Sequence, residues 1–188
     1  MAVGSKIPWA HHVKGTILRA RGRWEDAVAE FEAALVLNRN MTGPLQGLGW
    51  CKLFTGSPDQ VIPLAEKAIR IGPLDPSIGY RFYMIGMVHE LRAEPEHAIV
   101  WYEKARQTIS AGPLVWAHLA AAYALTGNAG RAAADLAKAR RLSPDDRYST
   151  LAHLKEYGPW GVPKVHALFE ATYFAGCAKP ACRSSEVC

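Results

Sequence analysis

One spacing, repeated along the chain, constrains the fold more than any other feature of the sequence. Gly15, Gly49, Gly86 and Ala120 are small residues separated by 34, 37 and 34 positions. Twelve residues after each stand Ala27, Val61, Ala98 and Ala132, and four further on come Phe31, Ala65, Tyr102 and Leu136. Three beyond those are Ala34, Ala68, Ala105 and Ala139. A last series, Gly22, Gly56, Ala93 and Gly127, falls seven residues after the first. Independent positions that share one period mark an array of like units, each too small to bury its apolar face alone.

The content of each unit is helical. Alanine is abundant and β-branched residues are sparse, in a chain that is 49% hydrophobic and 21% charged. Runs such as AVAEFEAAL and HAIVWYEKA place charges on one side of a helix and Ala, Val and aromatic side chains on the other. The pattern predicts helices over roughly 8–21, 24–38, 42–55, 58–71, 77–92, 95–110, 113–126 and 129–142. Gly22, Gly56 and Gly127 permit the left-handed residue that ends the first helix of a unit. Ser143-Pro144 closes the last second helix. Small residues on both helices let their axes approach, with Gly15 expected opposite the stretch around Ala27 and Phe31 supplying bulk beside them.

This pattern resembles the tetratricopeptide repeat over residues 8–144, in four units spanning about 8–41, 42–75, 79–112 and 113–146. The fourth unit carries Trp116, Leu119, Ala120, Tyr123, Gly127, Ala132, Ala139 and Pro144 in consensus places. The others depart more. Val61 and Ala65 replace a small and an aromatic residue, Arg39 and Ser110 stand where proline is usual, and Leu74-Asp75-Pro76 lengthens one connection. The resemblance implies an all-α, right-handed superhelical solenoid of antiparallel helix pairs whose first helices line a concave groove. Mapped by offset, that groove would present Trp9, His12, Thr16 and Arg19, then Gln46, Trp50 and Leu53, then Tyr80, Tyr83, Met87 and Glu90, then Leu114 with Ala117, Ala121 and Ala124. Aromatics with a methionine and a few polar groups suit a peptide or protein segment. The Lys, Asn and Arg that would clamp a terminal carboxylate are replaced here by His12, Thr16, Gln46 and Trp50.

Residues 1–7 read as a lead-in and 147–176 as a helix pair capping the array, with Leu151, Leu154, Val165, Leu168, Phe169, Tyr173 and Phe174 facing inward. Trp160, in the intervening turn, is expected to plug the seam between cap and last repeat. The run YSTLAHLKEYGPWGVPKVHALFEATYFAG is similar to the C-terminal end of bacterial proteins that join a class III adenylate cyclase-like or winged-helix regulatory domain to tetratricopeptide repeats. That resemblance implies a piece of a longer regulator. It also implies that 177–188, with Cys177, Cys182 and Cys188, is a frayed tail read out of frame, since shifting a frame for Leu-Arg-Lys-Ala-Gly-Met-Pro by one nucleotide yields Cys-Ala-Lys-Pro-Ala-Cys-Arg.

Catalytic chemistry finds little support. His11 and His12 point to different helix faces, and His89, His97, His118, His153 and His166 form no His-x3-His pair, so they read as satisfied or solvated rather than metal-ligating. No nucleophile elbow, phosphate loop or dinucleotide fingerprint appears, and Gly47-Leu48-Gly49 has a packing explanation. A net charge of +5, scattered over polar faces, argues against nucleic acid. No membrane span and no secretion pattern is present, so cytoplasmic residence is expected. The expectation is a non-enzymatic protein-binding module without cofactor or metal. Two alternatives stand beside it: a regulatory remnant of a cyclase-like protein, and an oligomerisation scaffold forming homo-oligomers.

Overall fold

A computed structural model describes residues 7–108, 112–156 and 160–182. Eight helices form the array: α1 (Pro8–Ala20), α2 (Trp24–Leu37), α3 (Thr42–Phe54), α4 (Val61–Ile71), α5 (Ile78–Leu91), α6 (Pro95–Arg106), α7 (Pro113–Leu125) and α8 (Ala129–Leu142). A 3₁₀ turn, Pro58–Gln60, leads into α4. The helices pack as sequential pairs, α1 on α2 through α7 on α8, and each second helix packs against the first helix of the next pair. This is the all-α solenoid expected from the repeat. α6 stops at Arg106, short of its expected end. Among the described residues no helix is long and apolar enough to cross a membrane.

All four intra-pair turns close in the same way. The amide five residues further on returns to a carbonyl of the preceding helix: Arg23 to Leu18 at 3.0 Å, Ser57 to Lys52 at 2.8 Å, Glu94 to His89 at 2.9 Å and Asn128 to Tyr123 at 2.8 Å. The motif needs one left-handed residue. Gly22, Gly56 and Gly127 supply it at φ 73°, 87° and 81°, and in the third unit Ala93 adopts φ 57°.

The close approach within a pair comes from a ring lying on a small residue. A Cβ at Gly15 would stand 2.7 Å from the Phe31 ring, and one at Gly86 would stand 2.5 Å from Tyr102. Phe31 itself, rather than Ala27, is thus what Gly15 opposes. Phe31 also lies against Gly47 of the second unit, so one ring locks two helices. Ala65 leaves no ring in the second unit, and there Met84 of the next pair reaches Gly49 instead.

The lengthened connection proves to be a polar staple. Asp75 accepts hydrogen bonds from Thr42 Oγ1 (2.8 Å), Ser77 N (2.9 Å) and Ser77 Oγ (2.7 Å), and pairs with the fully buried Arg81 through Nη2 at 2.6 Å. Burial alone would raise its pKa, but the hydrogen bonds from Ser77, Arg81 and Thr42 outweigh it and hold the carboxyl well below the usual range. A depressed folded-state value contributes stability that is present above the unfolded value of about 3.9 and lost as pH falls below it. Asp75→Ala should lower stability by about 3–5 kcal/mol in chemical denaturation at neutral pH, because it strands the Arg81 guanidinium. The difference between wild type and variant should shrink as the buffer is taken below pH 4. Equal sensitivity at all pH values would count against the staple.

Candidate functional site

The chain's own C-terminal region lies on the first helices of the third and fourth pairs, α5 and α7. After α8, Tyr148 is buried beside Ala117 and Leu136, and Arg140 donates to the Tyr148 and Ser149 carbonyls at 2.8 and 3.3 Å. Helix α9 (Leu151–Glu156) runs toward the second unit. The returning arm is α10 (Pro163–Phe169), a five-residue π turn (Glu170–Phe174), α11 (Ala175–Cys177) and a 3₁₀ turn (Pro180–Cys182). A Lys155–Glu170 pair at 2.7 Å ties the two arms together.

This returning arm packs chiefly on the last unit, α7 and α8, and also reaches back over the earlier units. It crosses from α3 over α5 to α7, and its last turn reaches α8. At its start, Val162 N donates to Phe54 O at 2.9 Å. Trp160 donates through Nε1 to Lys155 O at 2.9 Å, packs against Phe169 and Phe174, and lines a cavity with Trp50, Phe54 and Tyr83 and with Leu114 and His118 of the fourth unit, so it lies between the hairpin and three successive units. Two glycines let backbone meet backbone. A Cβ at Gly161, which also has φ 78°, would stand 2.6 Å from Phe54 O, and one at Gly176 would stand 2.5 Å from Ala121 O. The π turn carries Tyr173 and Phe174 inward, with Thr172 Oγ1 bonded back to Leu168 O at 2.8 Å. Residues 177–182, expected as a frayed tail, pack as well: Cys182 is buried with Sγ 3.7 Å from Ala120 O. Burial, then Cys182 and Glu90 nearby, push the Cys177 thiol far up, so it is a poor nucleophile. Residues 183–188, including Cys188, lie outside the described residues.

Beneath the arm the groove floor is polar. Glu90 and His118, both fully buried, meet at 2.7 Å through Oε2 and Nδ1, and the Tyr102 hydroxyl donates to the same Oε2 at 3.1 Å. Tyr173 stacks on His118 with ring centroids 3.9 Å apart and planes 10° from parallel, while Tyr83 meets the imidazole edge-on at 5.3 Å. Burial, followed by the Glu90 charge, raises the phenols of Tyr83 and Tyr102 well above their usual range. Glu90 Oε1, His118 Nε2 and the Tyr173 hydroxyl have no hydrogen-bond partner among the described residues.

The structure sorts the groove residues expected from the sequence into three groups. Trp9, Thr16, Tyr80 and Leu114 are exposed. His12, Arg19, Gln46 and Trp50 are half-buried, with His12 packed on Trp9, Phe31 and Gly43. Leu53, Tyr83, Met87 and Glu90 are buried, against the expectation of an open face. Leu53 belongs to the core between helices, whereas Tyr83 and Met87 line a cavity of about 170 Å³ left between α3, α5, α7 and the C-terminal hairpin. Ala117, Ala121 and Ala124 are likewise buried. The sequence reading takes His118 as a satisfied or solvated histidine and does not foresee its Glu90 partner, which stands 28 residues earlier.

No protein-family model and no curated sequence matches this chain. Solved structures do. A structure of PilF from Pseudomonas aeruginosa superposes with a TM-score of 0.69 at 14% identity, over 89% of this chain and 73% of that one. YrrB, described as a TPR protein with an unusual peptide-binding site, gives 0.58 at 20% identity over 86% of this chain and 82% of its own. The Thermus thermophilus TPR protein TTC0263 gives 0.62 at 20% identity over 80% and 79%. At these identities the likeness establishes the fold: a tetratricopeptide solenoid.

Gly176→Val would drive a side chain into the Ala121 carbonyl. The expected outcome is faster amide exchange throughout 160–182, with α1 and α2 unchanged. Unaltered protection of the arm would contradict the described seat.

Proposed function

We propose that this chain is a non-enzymatic interaction module whose concave face takes a helical protein segment bearing aromatic residues, and that its own C-terminal hairpin holds this face until such a segment replaces it. One observation carries the reading: residues 160–182 already lie on the concave face as a ligand would, anchored by Phe169, Tyr173 and Phe174. Laying the apolar side of a helix into a groove is an established mode of peptide recognition. The description of YrrB as peptide-binding supports it by analogy of fold.

The first unit stays uncovered, and exposed Trp9 and Thr16 offer an entry point for an incoming segment.

The test uses a labelled peptide of residues 160–182 in solution. It should bind Gly176→Val, whose own arm is loosened, more tightly than wild type by fluorescence anisotropy. Adding Tyr83→Ala should weaken that binding while leaving helicity unchanged. Failure of the peptide to bind the loosened variant would sink the proposal.

A further inference from the structure

The turn between α5 and α6 brings together three side chains that the sequence keeps apart. His89 Nδ1 lies 2.7 Å from Glu94 Oε2, and His97 Nδ1 lies 4.0 Å from the same oxygen. The two imidazole rings are 5.4 Å apart by centroid, and donor atoms of all three residues fall within 4.8 Å of one another. None of them touches the concave face described above.

The backbone fixes this arrangement. His89 is in the last turn of α5 and His97 in the first turn of α6. Between them the Glu94 amide returns to the His89 carbonyl at 2.9 Å, and Ala93 takes φ 57° to allow it. Both flanks are anchored, by buried Leu91 on one side and buried Ala98 on the other. A His-x4-Glu-x2-His spacing across this tight turn therefore delivers two imidazoles and a carboxylate to one point. Within a single helix the same residues would diverge, which is why a search for His-x3-His passes over them.

We propose that His89, Glu94 and His97 form a binding site for a divalent transition metal, zinc by preference. Two imidazole nitrogens and one carboxylate oxygen suit zinc and its late first-row neighbours, and are poorly matched to calcium or magnesium, which take oxygen ligands. Zinc bonds of about 2.0–2.2 Å to such donors place them a little over 3 Å apart in a tetrahedron. The observed separations bracket that value, and His97, whose side chain is 72% exposed, is free to close the last part of the distance. The fourth position faces solvent and would take water or a carboxylate from a partner. Side chains that surround the site also bear on it. Arg92 is turned away to Asp59 at 2.5 Å, so its cation does not occupy the carboxylate, and Glu96 is an exposed residue two positions on from Glu94.

Isothermal titration of the full chain with Zn²⁺, in reducing buffer, should show one saturable site. His97→Ala alters an exposed side chain and should leave the melting temperature without metal unchanged. It should weaken Zn²⁺ binding by more than the roughly tenfold that even an outer-shell partner of a metal ligand is worth. Glu94→Gln should weaken it too. Cobalt(II) in place of zinc should give a four-coordinate visible band without thiolate charge transfer, which separates this site from any made by the cysteines. The proposal is overturned if wild type binds no stoichiometric zinc, if His97→Ala and Glu94→Gln bind it equally well, or if the cobalt spectrum shows thiolate ligation.

Discussion

The contact between an aromatic ring and a residue with no side chain sets the geometry of this molecule. Phe31 rests on Gly15 and Gly47, and Tyr102 rests on Gly86, each closer than any Cβ would allow. Such a ring fills the space between two helices while letting their axes converge, at the density that protein interiors maintain. From that spacing follows the rest of the array. The second helix of each pair presents its other side to the next unit, and small residues at Ala34, Ala68, Ala105 and Ala139 are buried where the pairs meet. Because every unit depends on its neighbours, the stack behaves as one cooperative body with a continuous face made from α1, α3, α5 and α7.

That face is where the molecule departs from a plain repeat array. Its floor combines buried charge, hydroxyls and imidazole in Glu90, Tyr102 and His118, and its cover is an apolar arm with Tyr173 stacked on the imidazole. The glycines at 161 and 176 show how intimate the seat is, for both allow backbone contact that any larger residue would block.

Much of the architecture is legible in the sequence because it rests on local, repeated causes. Helix ends follow from Gly22, Gly56 and Gly127, whose left-handed conformations appear at the places the period assigns. The candidate site is less legible. Offsets place Tyr83, Met87 and Glu90 on an open face, whereas the structure buries them. Leu53 shares a groove offset yet is consumed by the core between helices. Asp75 sits in what the period treats as a mere lengthening, and its four hydrogen bonds come from Thr42, Ser77 and Arg81, on both sides of that gap.

By itself, the sequence determined that this protein is an all-helical repeat solenoid, since periodic small and aromatic residues admit no other way to bury their apolar faces. Only the tertiary structure decided that the C-terminal aromatics reach back over α5 as well as α7, and that His118 meets Glu90 beneath them. Only it brought His89, Glu94 and His97 to one point. Those outcomes depend on where a turn aims the chain and on which distant surface its apolar side chains reach first. No local spacing encodes that choice.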